Sequence, residues 1–93
     1  MSEFFWFDRD IIQKPCFSNP LCTVVMITLG CAMDEKNQTH GVTALLQPVK
    51  ERNPGVWRAL QMLERDEILT SDKARDCVEF NPKYVTCESP EGM

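Results

Sequence analysis

The sequence is poor in the residues that most recognisable chemical motifs require. Its 93 residues include four glycines and a single histidine, His40. None of the glycines falls in a G-x-G pattern, so the sequence contains no recognisable phosphate-binding loop. One histidine also restricts acid–base and thiol catalysis, because imidazole is the side chain that most readily exchanges a proton near neutral pH.

Long hydrophobic runs and basic segments are absent too. The longest nearly apolar run, 21–33, has thirteen residues, well short of the roughly 20 that cross a bilayer. The first ten residues carry Glu3, Asp8 and Asp10 but lack the basic start of a secretory signal. The formal net charge of -4 provides no electrostatic footprint for nucleic acid. We therefore expect a cytoplasmic protein that does not bind membranes, and its charge disfavours nucleic acid as a partner.

Cysteine is frequent, but its spacing does not form a typical site. The five cysteines are Cys16, Cys22, Cys31, Cys77 and Cys87. No two of them form the closely spaced C-x2-C pair of structural zinc sites, and their odd number favours reduced thiols that pack as small hydrophobic residues. Cys31 and His40 lie close enough for a pairing across the predicted hairpin, so a thiol or zinc protein is the third functional alternative. We assign no catalytic, cofactor or metal residue.

The overall composition is typical of one small globular domain. Hydrophobic residues make up 43% of the chain and charged residues 26%. A domain of this size buries somewhat over ~60% of the surface that its unfolded chain exposes, which suffices for one core. We expect a single domain over 1–93, with an aromatic segment at 1–7 and a frayed tail at 89–93.

The strongest strand pattern lies in the segment 22–33. It reads CTVVMITLGCAM, is rich in β-branched residues and is apolar at alternate positions on both faces, which favours a strand near the centre of a sheet. A polar stretch and a second apolar run follow, so that a central hairpin over 22–49 is predicted. A strand over 3–7 and a helical turn over 8–13 precede it.

The clearest helix start is the pair Asn53 and Pro54, a favoured cap followed by a residue suited to the first helical position. Apolar positions then recur at helical spacing, which predicts a helix over 54–66. A short second helix is predicted over 72–79 and a last strand over 83–88. The fold class is therefore α+β: a small antiparallel or mixed sheet of three to four strands, with both helices packed on one face.

Four of the eight aromatic residues (five Phe, two Trp and one Tyr in all) are consecutive: Phe4, Phe5, Trp6 and Phe7. As a strand, this segment would direct Phe4 and Trp6 to one face and Phe5 and Phe7 to the other. We expect Trp6 to be buried within the chain and Phe5 or Phe7 to contact something else. A helix beginning at Ser2 is the alternative arrangement.

The chain has more hydrophobic surface than one small core requires. Two helices can cover one face of the sheet, which leaves the other face to the aromatic segment or to another chain. Trp and Phe are favoured in interface cores. We predict a non-enzymatic protein-binding module, a small regulator or inhibitor of a larger protein, with Phe4, Phe5, Trp6 and Phe7 as the partner-binding residues. A homodimer and a role as a phage or mobile-element accessory protein are further expectations.

The alternative function is transcriptional regulation through DNA. The segment 56–87 resembles the later half of a winged helix-turn-helix, with a helix, a short extended ILT, a second helix and a strand. The resemblance implies that residues 71–80 form the helix that enters the DNA groove. Acidic residues outnumber basic ones three to two in that stretch, which opposes contact with phosphates.

Overall fold

A computed structural model describes residues 5–87 and confirms the α+β class. In this range the chain forms helices α1 (Pro20–Gly30), α2 (Val42–Arg52) and α3 (Val56–Arg65), strands β1 (Trp6–Phe7), β2 (Gln38–His40), β3 (Leu69–Asp72), β4 (Cys77–Phe80) and β5 (Val85–Thr86), and two 3₁₀ helices, Arg9–Gln13 and Pro15–Ser18. The predicted tail 89–93 and Phe4 lie outside the described residues.

The described strands form two antiparallel sheets. In the larger sheet β4 is central and lies between β2 and β3, so that Val78 is opposite both Thr39 and Ser71. The smaller sheet pairs β1 with β5, with Trp6 opposite Thr86. The antiparallel sheet predicted from the sequence is therefore present, although its strands come from other segments.

Asn37 joins the two sheets. Its backbone is left-handed, with φ of 62°, and its side chain is almost fully buried. The side-chain amide donates to the carbonyl of Val85 at 3.3 Å and accepts from the N–H of Cys87 at 3.1 Å. Its own carbonyl accepts from the N–H of Phe80 at 2.8 Å. One buried amide thus fixes β5, and with it β1, relative to the larger sheet.

The core lies between the three helices and one face of the larger sheet. Helix α1 packs against both α2 and α3, and the Thr39 hydroxyl donates to the carbonyl of Leu29 at 2.7 Å, which ties β2 to α1. In the described part of the chain every buried side-chain nitrogen and oxygen has a hydrogen-bond partner. Helix α3 contacts β3 of this sheet, as expected for the predicted helix over 54–66, whereas α1 and α2 had been predicted as strands.

The predicted central hairpin over 22–49 is wrong. Most of its first strand is helix α1, most of its second is helix α2, and β2 is the strand between them. Asn19 caps α1, because its side-chain oxygen accepts from the N–H of Leu21 at 3.0 Å, and Pro20 occupies the first turn. Tertiary packing then outweighs the low helix propensity of the β-branched residues in α1.

Pro48 lies inside α2, within the segment that was predicted as the second strand of the hairpin. A proline within a helix leaves the carbonyl of the residue four positions earlier, here Ala44, without its usual donor. Both Ala44 and Pro48 are exposed, so water can hydrate that carbonyl. Burial of the neighbouring Leu46 offsets the free-energy cost of the missing hydrogen bond.

The predicted second helix over 72–79 is also wrong, since this segment is the turn and strand that complete a β3–β4 hairpin. Asp76 adopts a left-handed backbone with φ of 51°. Its carbonyl accepts from the N–H groups of Gly41 and Val42, and its carboxylate accepts from the Thr43 hydroxyl at 2.7 Å. Asp76 thereby caps the start of α2 from a distant part of the chain, which fixes the hairpin turn.

The predicted helix over 54–66 is present as α3, but it begins at Val56, so the predicted start at Asn53 and Pro54 is wrong. Gly55 occupies the cap position without a side-chain hydrogen bond, and Asn53 instead ends α2. The remaining local predictions are confirmed. The helical turn over 8–13 is the first 3₁₀ helix, and the strands over 3–7 and 83–88 appear in shorter form as β1 and β5.

Candidate protein-interaction site

Helix α1 carries no charged side chain on any face. Its inner side is core, with Cys22, Val25 and Leu29 fully buried. Its outer side carries the exposed Thr23 together with two apolar residues, Val24, which is 44% exposed, and Ile27, which is 46% exposed. A helix that is hydrophobic all round is normally covered on every side. Among residues 5–87 nothing covers Val24 and Ile27 completely, so the outer side of α1 presents an apolar surface at these two residues.

Phe5 extends this surface beyond α1. Its ring lies on Gly30, where an added Cβ would be 2.9 Å from the ring atom Cε1, so only glycine permits this approach. The ring of Phe7, which is 50% exposed, follows at a centroid distance of 6.2 Å, as in common aromatic pairs. Gly30, Ile27 and Val24 succeed one another at a spacing of three residues along α1, so the surface is continuous.

We call Phe5, Phe7, Val24 and Ile27 the apolar surface. Charged side chains border it at the end of α2, where Val24 shares a cleft of about 380 Å³ with Glu51 and Arg52. An apolar centre with a charged border is the usual arrangement of a protein–protein interface.

Trp6 is not buried, contrary to the expectation from the sequence. Alternation along β1 directs it away from Phe5 and Phe7, and 46% of its surface is exposed. The expectation is wrong because β1 belongs to a separate two-stranded sheet rather than to the main sheet, whose inner face the helices cover. Phe4 lies outside the described residues.

Val24 and Ile27 were not predicted from the sequence as surface residues. The signal that could have found them was the complete absence of charge over Pro20–Gly30. That signal was attributed to a strand covered on both faces. In a helix the same residues divide into an inner side and an outer side, and the outer side then needs another explanation.

His40 has neighbours that were not predicted from the sequence. It lies opposite Cys77 in the β2–β4 pairing, and its Nε2 is 3.6 Å from Oδ2 of Asp34. Burial raises the pKa of the Cys77 thiol, which opposes formation of a nucleophilic thiolate. Cys31 is exposed just after α1. Within residues 5–87 no group of three or more His, Cys, Asp or Glu is arranged to hold a metal ion.

Cys16 and Cys22 are free thiols in the core, as expected of cysteines that pack as small hydrophobic residues. The N–H of Cys16 donates to Oδ2 of Asp66 at 2.9 Å, and the thiol of Cys22 donates to the carbonyl of Ala59 at 3.6 Å. Burial raises the pKa of Cys16 to about 12 and also raises that of Cys22. Both thiols therefore stay protonated near neutral pH.

Residues 71–80 do not form the helix that the winged-helix resemblance implies. Strand β4 and the turn before it occupy most of residues 71–80, where the resemblance placed a groove-reading helix. Comparison with protein-family models, with curated proteins and with solved structures gave no match. No helix within residues 5–87 combines the length and the hydropathy of a membrane span.

Proposed function

We propose that this chain is a non-enzymatic protein-binding module. It acts as a small regulator or inhibitor of a larger protein, which contacts it at the apolar surface. The observation that carries the proposal is the outer side of α1, where Val24 and Ile27 are nearly half exposed on a helix without any charge. Neighbouring exposed apolar side chains of this kind mark interaction sites on soluble proteins.

The size of the surface limits what it can contribute. Full burial of a Val, Ile or Phe side chain stabilises by about 1.5–3 kcal/mol, so the exposed halves of Val24, Ile27 and Phe7 contribute about 1 kcal/mol each. A micromolar complex requires about 8 kcal/mol. The partner must therefore also contact surface beyond these residues, including the charged border near Glu51 and Arg52.

A double substitution of the outer side of α1 tests this proposal. Val24→Gln with Ile27→Gln keeps two helix-compatible side chains of similar size and removes the apolar contact. A photoreactive benzoylphenylalanine at position 27, in cells that naturally produce the chain, should form one dominant adduct that identifies the partner. With the purified partner, the double variant should bind about 10–100-fold more weakly, as expected for loss of central apolar contacts.

Ile12 provides the matched control, because it is 68% exposed on the first 3₁₀ helix rather than on α1. Ile12→Gln should leave the affinity unchanged, and a photoreactive group at position 12 should not give the dominant adduct. If the double variant of α1 binds the partner as tightly as the unchanged protein, the apolar surface is not the contact and the proposal is wrong.

A second copy of the chain is one partner that this surface would accept, since a helix without charge brings no like charges together in a symmetric pair. Size-exclusion chromatography with light scattering at increasing concentration detects that form. A dimer that becomes monomeric in the double variant would assign the surface to self-association. A dimer that persists unchanged would place its interface elsewhere.

A further inference from the structure

A groove of about 340 Å³ lies between the start of α2, the outer side of α3 and the β3–β4 hairpin. Its apolar lining includes Val42, Leu60 and Val78, which are almost fully buried, and Trp57, which is partly buried. Ligand pockets are commonly apolar with a few placed polar groups, and they begin at volumes of about 300 Å³. The groove thus has the size and lining of a small-ligand site, and it is separate from the apolar surface.

The polar edge of the groove is acidic. Glu64, Asp72 and Asp76 line it, and Lys73 is the one basic residue among the described lining. Carboxylates at the edge of a low-dielectric groove concentrate counter-ions there more strongly than they would on a flat surface. The groove therefore favours a ligand that carries positive charge.

Two of these carboxylates are held in place by the backbone. Oε1 of Glu64 accepts from the N–H of Ser71 at 3.1 Å, and Oδ1 of Asp72 accepts from the N–H of Arg75 at 3.3 Å. An ionised carboxylate has about four acceptor positions, so each retains capacity for a ligand. Asp76 is already engaged at the start of α2. Glu64 and Asp72 are consequently the two oriented anions that a cation would meet at little ordering cost.

We propose that this groove binds an organic cation, in which an ammonium or guanidinium group is attached to an apolar body. The body packs against Val42, Leu60 and the ring of Trp57, while the cation lies between Glu64 and Asp72. A tryptophan ring adds its own attraction for a cation held against its face. A free small molecule and the basic side chain of a peptide share this chemistry. The inference does not depend on the proposed function.

Nuclear magnetic resonance titration with a charged probe and an uncharged probe of the same shape tests the inference. Choline and 3,3-dimethyl-1-butanol differ essentially in the positive charge. Choline should shift the indole N–H of Trp57 and the amide of Ser71 and bind at least ~3-fold more tightly than the alcohol. Trp6→Phe assigns the indole signal. Arginine that is acetylated and amidated represents the basic side chain of a peptide. Tighter binding of choline indicates a free small molecule as the ligand, and tighter binding of the arginine derivative indicates a peptide.

Isosteric removal of charge separates binding from folding. Glu64→Gln and Asp72→Asn keep an oxygen that accepts from the same backbone N–H, so the hairpin should remain intact. Each should weaken the binding of the cations about 2–5-fold and leave the alcohol unaffected. Glu35→Gln, in an exposed turn outside the groove, removes the same charge and should change nothing.

Three results would overturn the inference. The first is that neither cation gives saturable shifts at Trp57 and Ser71. The second is that the alcohol binds as tightly as choline, which would mean that charge plays no part. The third is that Glu64→Gln and Asp72→Asn leave the affinity of the cations unchanged, or change it no more than Glu35→Gln does.

Discussion

Helices α1 and α3 pack against each other and have eleven and ten residues, yet their outer sides are opposite in character. The outer side of α3 carries Arg58 and Glu64, which are exposed, and Glu64 also accepts a hydrogen bond from the N–H of Ser71. The outer side of α1 carries Val24 and Ile27. The difference shows that exposure to water suits the charged outer side of α3, which also borders the proposed cation groove, but leaves the apolar outer side of α1 unexplained. The protein-binding function is therefore proposed for that side of α1.

The largest expected effect concerns the inner sides, on which the two helices should be equivalent. Leu29 in α1 and Leu63 in α3 are both fully buried. Replacing either by Ala removes the same groups and leaves a cavity, which lowers the free energy of unfolding by about 3 kcal/mol. Urea unfolding of Leu29→Ala and Leu63→Ala measures both values. If Leu29→Ala costs less than ~1 kcal/mol, α1 is not packed as a core helix and the comparison fails.

The sequence allows α3 to be predicted because its charged and apolar residues alternate with the helical period. The same reasoning fails for α1, since an apolar run without charge is equally consistent with a central strand and with a helix buried on one side. Asn19 and Pro20 mark the start of α1. The same pair is typical of a loop when the run that follows it is assigned to a strand. The local pattern therefore identified α3, but it did not identify α1, which lacks charge, or α2, whose charged residues all lie at its end.

Long-range contacts set a second limit on prediction. Asp76 caps α2 through bonds that span 33 residues, and Asn37 reaches β5 across 48. A local pattern does not contain these partners, so the β3–β4 hairpin was assigned to a helix. For the candidate site, Phe5 and Phe7 were identified from their position in an aromatic run. Their continuation onto α1 depended on the helix that the sequence analysis did not predict.

The next expected effect is a loss of stability at alkaline pH from the thiols beside the inner side of α1. The pKa of Cys16 is raised from 9.0 to about 12 and that of Cys22 is raised in the same direction, both by burial. The folded state therefore keeps protons that the unfolded state releases. The stabilisation is complete below pH 9 and is lost progressively as pH rises from about 9 toward about 12.

Urea unfolding at pH 8, 9 and 10 measures this loss, and Cys16→Ala should reduce its slope. Cys31→Ser is the control, because Cys31 is exposed beyond the end of α1 and has no burial to lose. A slope that Cys16→Ala leaves unchanged would show that other groups govern the alkaline limit, and the core assignment of Cys16 would need revision.

A smaller effect is expected on the outer sides. Val24→Gln with Ile27→Gln in α1, and Arg58→Gln with Arg65→Gln in α3, replace side chains that are exposed or nearly half exposed. The α3 pair should change the free energy of unfolding by no more than about 0.5 kcal/mol per site. The α1 pair should lower it by about 1 kcal/mol per site, because about half of each side chain is buried. Both pairs then leave the fold intact and differ in the partner affinity proposed for α1. A large loss of stability in the α1 pair alone would instead make its outer side part of the core.

The smallest expected change in stability tests how Phe5 is attached to α1. Gly30→Ala gains up to about 1 kcal/mol of helix propensity, less at a terminal position. Its new methyl group would lie 2.9 Å from the Phe5 ring, which must move and lose contact. We expect these terms to offset within about 0.5 kcal/mol, while the ring signals of Phe5 and Phe7 shift together because the two rings are 6.2 Å apart.

Thr23→Ala gives the matched comparison for that substitution. Thr23 is exposed on the outer side of α1, so its replacement should gain helix propensity of about 0.5 kcal/mol without disturbing either ring. Gly30→Ala should therefore be the less stabilising of the two. If it stabilises more than Thr23→Ala and leaves the ring signals unmoved, Phe5 does not rest on Gly30. The apolar surface would then consist of α1 alone, and the aromatic residues of β1 would need a separate role.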